Sequence, residues 1–326
     1  LPARVAGEGG RGFGRALLAL TAVAFVVRVA YLLWEPACAL VGDESSWVAL
    51  GTQELGRPRR GLNPFRVRLI FYPPLYPYFV AILHRLFGSL DAVLWAQAGI
   101  GALLVPAVGR AGRTAFSPRV GLVAGAITAL YPDLVWFSVH FWSETLFMLF
   151  LWWGFERLLA ADAAQRLRLA ALAGLLFGLA ILTRETALYF TPLAALWLGL
   201  SPGARKGWRL GAVFLGVVLF TVAPWTYRNW VRYQAFVPVS TAGGLALYQG
   251  NALLTRQQVY DERDAVSGRV NQYRYLRQKG IEVILERQPW WLLEKLRDEM
   301  PKFWEADSLA LIHIRRGAYG PGVRPG

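Results

Sequence analysis

Seven blocks of mostly apolar residues alternate along this 326-residue chain with short polar segments: 16–34, 92–109, 120–139, 143–159, 169–183, 187–200 and 210–226. A helix that crosses a bilayer needs about 20 such residues, within a range of about 17–25. The sixth block, the shortest, reaches that length only with its flanks. Charged residues make up 17% of the chain, where a soluble domain carries about a quarter. The apolar residues run in blocks without heptads, which excludes disorder and coiled coil. Cys38 is the single cysteine, so no disulfide can form within the chain. These features predict an all-α integral membrane protein.

The net charge of +14 would suit nucleic acid if it formed one patch, but it is dispersed. Arg4, Arg11 and Arg15 precede the first block. Arg110, Arg113 and Arg119 separate the second from the third, and Arg157, Arg166 and Arg168 the fourth from the fifth. Arg205, Lys206 and Arg209 separate the sixth from the seventh. All four clusters fall on the cytoplasmic side if the N-terminus is cytoplasmic, so the partner is a bilayer and not nucleic acid. Residues 16–34 carry no small-residue cleavage site and read as a span rather than a removed signal. The segment 72–88 is also apolar, yet counting it as a span would invert every later cluster. Its core between Pro77 and His84 is short, and it reads as a helix lying in the outer interface.

The expected layout is therefore a transmembrane unit, 1–226, with an outer loop at 35–91, and an extracytoplasmic segment, 227–326. That segment contains a charged helix at 271–288 and a second interfacial helix at 289–304. The chain starts at Leu1 and ends in IHIRRGAYGPGVRPG without closing an element, as expected of a piece of a longer protein with further spans.

Ionisable residues beside a bilayer are costly and mark candidate sites. On this topology Asp43, Glu44, Glu144, Arg184, Glu185, Arg228 and Asn229 all reach the outer face. Arginines at helix ends can simply extend to the interface. Together with carboxylates, however, they suit group transfer from a lipid phosphate. Guanidinium groups neutralise the leaving phosphate, and a carboxylate takes the acceptor's proton. Asp43 is the candidate base, with Arg184 and Arg228 as phosphate ligands. Arg28, inside the first block, is expected to pair with an acid of a neighbouring helix such as Glu144. His84, His140 and His313 match no zinc spacing. No cofactor is required, although Asp43, Glu44 and His140 on one face leave a divalent cation open. There is no Walker motif and no dinucleotide fingerprint. GLLFGLA (174–180) reads as a small-residue packing face. Gly243–Gly244 and Gly250–Asn251 lie in an outer loop that could shape a binding backbone.

The motifs GDESSW (42–47), YPPLYPYFVAILHRLFG (72–88), YPDLVWFSVHFWSETLF (131–147), GLLFGLAILTRET (174–186) and PWTYRNWVRYQAFVPVSTAGGLALYQGN (224–251) occur in order. At these positions the chain resembles the polyprenyl-phosphate-sugar-dependent glycosyltransferases of the GT-C fold. It is similar among them to the dolichyl-phosphate-mannose–protein mannosyltransferases and the lipid A aminoarabinose transferase. The resemblance implies a GT-C bundle of about seven spans in the inner (plasma) membrane, with its site on the extracytoplasmic side. It implies inverting transfer of a sugar from a polyprenyl-phosphate carrier to a glycolipid, polysaccharide or protein acceptor. Asp43 and Glu44 then fall on the catalytic acids, Arg184 on the phosphate-contacting cation, and Glu144 on a sugar- or acceptor-binding acid. Glu185, Arg228, Asn229 and Asn251 join the substrate-binding set. Where the aminoarabinose transferase has a phosphate-holding lysine, this chain has Tyr72, and Arg66 or Arg68 could serve instead. A transporter or flippase, and a non-catalytic subunit that binds the lipid carrier, are the competing readings. No internal repeat supports the first of these.

Overall fold

The computed structural model describes residues 9–34, 40, 42–55, 63, 69–201 and 207–301. Among the described residues the regular elements are all helical. The chain runs through α1 (Gly9–Trp34), α2 (Asp43–Ala49), one π-helical turn (Leu50–Glu54), α3 (Leu75–Phe87), α4 (Asp91–Ala102), α5 (Leu104–Ala115) and α6 (Pro118–Leu130). It continues with α7 (Pro132–Phe137), α8 (Glu144–Ala164), α9 (Leu167–Thr183), α10 (Thr186–Leu200) and α11 (Gly207–Tyr233). Four helices follow: α12 (Ala242–Gln249), α13 (Arg256–Asp264), α14 (Arg269–Glu286) and α15 (Trp291–Asp298).

All seven apolar blocks are helical. Three helical stretches among the described residues are long and apolar enough by themselves to cross a membrane: Arg11–Trp34, Asp91–Ala115 and Gly207–Tyr233. At about 1.5 Å per residue the shortest of these is roughly 36 Å long, more than a hydrocarbon core of about 30 Å. α3, α6, α9 and α10 are apolar but shorter.

The third block, 120–139, is not one helix. Pro132 has no N–H and disfavours the helical region for the residue before it, so Tyr131 turns extended (φ −62°, ψ 120°) and α6 stops at Leu130. The break strands the carbonyl of Thr128, whose helical partner would have been the N–H of residue 132. Arg28 fills the gap. Fully buried on α1, it donates to the carbonyls of Ala129 (3.0 Å) and Thr128 (3.5 Å), to Ser138 Oγ (3.2 Å) and to Ala24 O (3.0 Å). This corrects the expected Arg28–Glu144 pair, since Glu144 is paired with Arg184. The frayed helix end was the stronger acceptor, because unpaired carbonyls cannot be left dry. Gly101 makes room for this arginine: a Cβ there would lie 2.6 Å from Arg28 Nε and 2.2 Å from Ser138 Oγ.

The main apolar core joins α8 to α11 around Phe177, Ile181, Leu198, Leu210 and Phe214. The small-residue face of α9 makes this possible. A Cβ on Gly174 would lie 2.4 Å from Phe214 O, and one on Gly178 would lie 2.5 Å from Thr221 Cβ. Gly174→Val should therefore force α9 off α11 and cost about 1–3 kcal/mol. Thermal unfolding in detergent checks this; an unshifted midpoint would mean that the two helices can part freely.

α3 docks Tyr76, Val80 and Ala81 inside the bundle and leaves Ile82, Leu86 and Phe87 exposed. α11 continues past residue 226 to Tyr233, because its polar end is tied to the returning chain. Trp225 Nε1 donates to Val239 O (2.9 Å) and Thr226 Oγ1 to Pro238 O (2.8 Å). Beyond it, α12, α13 and α14 share a small core of Leu245, Tyr248, Val259 and Leu276. The described part of the expected 289–304 helix is α15, which buries no residue and exposes Leu292, Leu293 and Leu296.

Candidate functional site

Gly42 adopts φ 60°, ψ −127°, a conformation open only to glycine, and this turn starts α2 at Asp43. Asp43 is exposed, and its Oδ1 accepts a hydrogen bond from the Tyr72 hydroxyl at 3.1 Å. The Tyr72 ring packs on Trp47, 4.4 Å between centroids. Burial raises the Tyr72 pKa, the Ser46 hydrogen bond opposes this, and the Asp43 charge adds to it. The hydroxyl thus stays protonated, as a donor to the carboxylate.

Glu44, the next residue, points elsewhere. It is buried and accepts the backbone N–H of Phe141 at 2.9 Å, fixing the segment before α8. The same segment is held by Gln97, whose Nε2 donates to His140 O (2.5 Å) and whose Oε1 accepts from the Tyr76 hydroxyl (2.6 Å). His140 lies flat on Trp136 (4.3 Å) with Nδ1 at 2.9 Å from Trp136 O. Among the described residues no group of three or more His, Cys, Asp or Glu is placed to hold a metal ion.

That segment presents Glu144 at the start of α8. Arg184 ends α9 in an extended conformation (φ −147°, ψ 123°) that swings its side chain toward α8. Its NH1 group reaches Glu144 Oε1 at 2.6 Å and Ser143 Oγ at 3.1 Å. Asp43 is close enough for its charge to act on Glu144. The structure thus brings Asp43, Tyr72, Glu144 and Arg184 together at one end of the bundle.

Glu185 faces the other way. Its Oε2 accepts from Ser240 Oγ at 2.7 Å and its carboxylate also meets the backbone of Gly243, where a Cβ would lie 2.4 Å from Oε1. The acid ties the N-terminus of α12 to the α9–α10 turn, beside a cavity of about 270 Å³ that also touches Tyr273 and Arg277. Burial raises the Glu185 pKa, and the Ser240 hydrogen bond opposes this. Burial thus favours the neutral form of this acid in the fold. Its contribution is complete below the ordinary carboxylate pKa and is lost as pH rises through the raised value. Glu185→Gln should flatten the pH dependence of proteolytic opening around α12; an unchanged dependence assigns it to another group.

Arg228 is held by a different set. It is 1% exposed, donates to Leu69 O (2.7 Å) and Asn229 Oδ1 (2.9 Å), and lies on the rings of Trp225 and Tyr233. Asn229 donates to Val237 O and Val239 O. Asn251 accepts from Trp291 Nε1 at 2.8 Å and donates to Leu247 O, anchoring α15 rather than meeting Asp43. Arg66, Arg68 and His313 lie outside the described residues. Two contributors escaped the sequence reading. Gln97 is a lone amide in an apolar block, and the strong penalty on an unpaired buried amide was the available signal. Arg269 opens α14 over the Phe71 ring (5.3 Å), near enough for its charge to act on Tyr72; no local pattern announced it.

An apolar groove of about 500 Å³ runs between α3, the last turn of α9 and α11, where Leu182 is two residues from Arg184 and Leu75 three from Tyr72. Pro74, Leu75, Tyr78, Leu182 and Trp225 line it, with Arg228 at its edge.

The class of fold that this all-helical arrangement defines, with three described stretches long and apolar enough to cross a membrane, is GT-C. The fold is similar to that in the crystal structure of the Archaeoglobus fulgidus oligosaccharyltransferase, tethered with an acceptor peptide containing the NVT sequon via a disulfide bond. The TM-score is 0.52 at 15% sequence identity, covering 93% of this chain and 37% of that one. This chain thus spans little more than a third of that structure's length. Residues 72–227 match the family described as dolichyl-phosphate-mannose-protein mannosyltransferase, as the motifs in that interval implied. The matched interval contains Tyr72, Glu144, Arg184 and Glu185; Asp43 precedes it and α12–α15 follow it. No curated protein matches the chain.

Proposed function

We propose that this chain is a membrane glycosyltransferase of the GT-C type. It takes a sugar from a polyprenyl-phosphate carrier and passes it, with inversion, to an acceptor hydroxyl on the extracytoplasmic face. The observation that carries this reading is that Asp43 lies within charge range of the Glu144–Arg184 pair, with an apolar groove opening at Leu182, two residues before Arg184. Asp43 accepts the acceptor's proton while Tyr72 holds its carboxylate in place. The acceptor oxygen then bonds to the sugar's anomeric carbon from the face opposite the phosphate. The carbon–oxygen bond to phosphate breaks, and the leaving polyprenyl phosphate takes the electron pair. Arg184 meets that growing charge, and Glu144 holds the guanidinium in position. The prenyl chain occupies the groove lined by Leu75, Leu182 and Trp225. Arg228 and Asn229 fix the groove wall by tying segments 69–70 and 237–239 to α11.

The test supplies purified protein with radiolabelled polyprenyl-phosphate sugars and candidate glycolipid or peptide acceptors. Transfer with opposite anomeric configuration in donor and product is the expected result. Retained configuration, or transfer from soluble nucleotide sugars alone, would overturn the reading.

A further inference from the structure

Far from Asp43, α1, α5 and α8 leave a cavity of about 630 Å³. Glu156 on its wall comes 12 residues after Glu144 on α8 (156 − 144), which is about 18 Å along the helix. Two chemistries meet there. One wall is apolar: Leu18, Leu103 and Pro106, with Leu18 71% exposed. The other is cationic. Arg110 Nε pairs with Glu156 Oε1 (3.2 Å) and Arg157 Nε with Glu156 Oε2 (2.5 Å), while Arg113 lies over the Phe13 ring at 4.9 Å. Two guanidinium groups thus share one carboxylate; the cavity lining itself holds Arg110 and Arg113 against the single acid Glu156, an excess of positive charge. Trp153 sits under both Arg110 and Arg157, at 5.8 and 5.7 Å. The floor is open, since a Cβ on Gly14 would meet nothing within 4 Å.

We propose that this groove binds one anionic phospholipid of the adjoining leaflet, its phosphate on Arg110 and Arg113 and an acyl chain along Leu18, Leu103 and Pro106. A free anion would leave the apolar wall unused, and a zwitterionic headgroup would bring its own cation against the arginines. Basic pockets between membrane helices select anionic lipid in this way. The site shares no residue with the proposed transferase centre, so either can fail without the other.

The test uses the full chain in neutral detergent, titrated with phosphatidylglycerol, phosphatidylcholine or inorganic phosphate. Thermal unfolding and native mass spectrometry provide the readouts. Phosphatidylglycerol should bind and raise the midpoint, and the other two should not. Arg113→Gln should weaken it about fivefold. Gly14→Leu should fill the groove and remove binding while leaving the lipid-free midpoint unlowered, because leucine is the better helix former. Arg119→Gln, at the same end but outside the groove, should bind like the parent. An equal response to phosphatidylcholine or phosphate overturns the proposal. So does equal weakening in Arg119→Gln and Arg113→Gln, or full binding by Gly14→Leu.

Discussion

Asp43→Asn is expected to reduce sugar transfer by about 10²–10⁴-fold, the usual contribution of a positioned general base. The asparagine keeps the shape and can still accept from the Tyr72 hydroxyl, so α2 and its glycine turn are preserved. It cannot take a proton. The loss should appear in the rate at saturating donor, with donor binding close to that of the parent. Tyr72→Phe provides the comparison: it leaves the base and removes only its orienting hydrogen bond, so its loss should be much smaller. Equal transfer by the parent and Asp43→Asn would remove this residue from the mechanism. Loss of donor binding in Asp43→Asn would recast it as a ligand of the sugar.

Arg184→Ala is expected to lower transfer by about 10²–10³-fold, as removal of one charge-stabilising donor commonly does. Its side chain is 38% exposed and that of Glu144 22%, so solvent screens the pair and its contribution to stability is small. The effect should therefore fall on activity more than on the unfolding temperature. Glu144→Gln separates two roles for the arginine. If Arg184 only neutralises Glu144, the double variant Arg184→Gln/Glu144→Gln recovers activity. If Arg184 meets the phosphate, the double variant stays as poor as Arg184→Gln alone. Recovery would sink the phosphate role, as would an unchanged response of Arg184→Ala to donor concentration.

The apolar blocks and basic clusters were sufficient to predict helices in all seven places, because burying a backbone away from water leaves the helix as the local solution whatever the packing. That Asp43, Glu144 and Arg184 gather at one end of the bundle was readable for the same reason: charges beside apolar runs are conspicuous. The glycine face at 174–180 could be read too, since small residues in a helix have few other uses. Partner choice could not be read. Arg28 looked like half of an ion pair, yet the carbonyls freed by Pro132, a hundred residues away, claim it. Arg184 and Glu185 are adjacent in sequence and were grouped, but the extended turn between α9 and α10 sends them to opposite sides, one to Glu144 and the other to α12. Pattern along the chain reflects what each residue costs to bury, a local property. Which group meets that cost depends on chain segments brought together in space, and only the tertiary structure decides it.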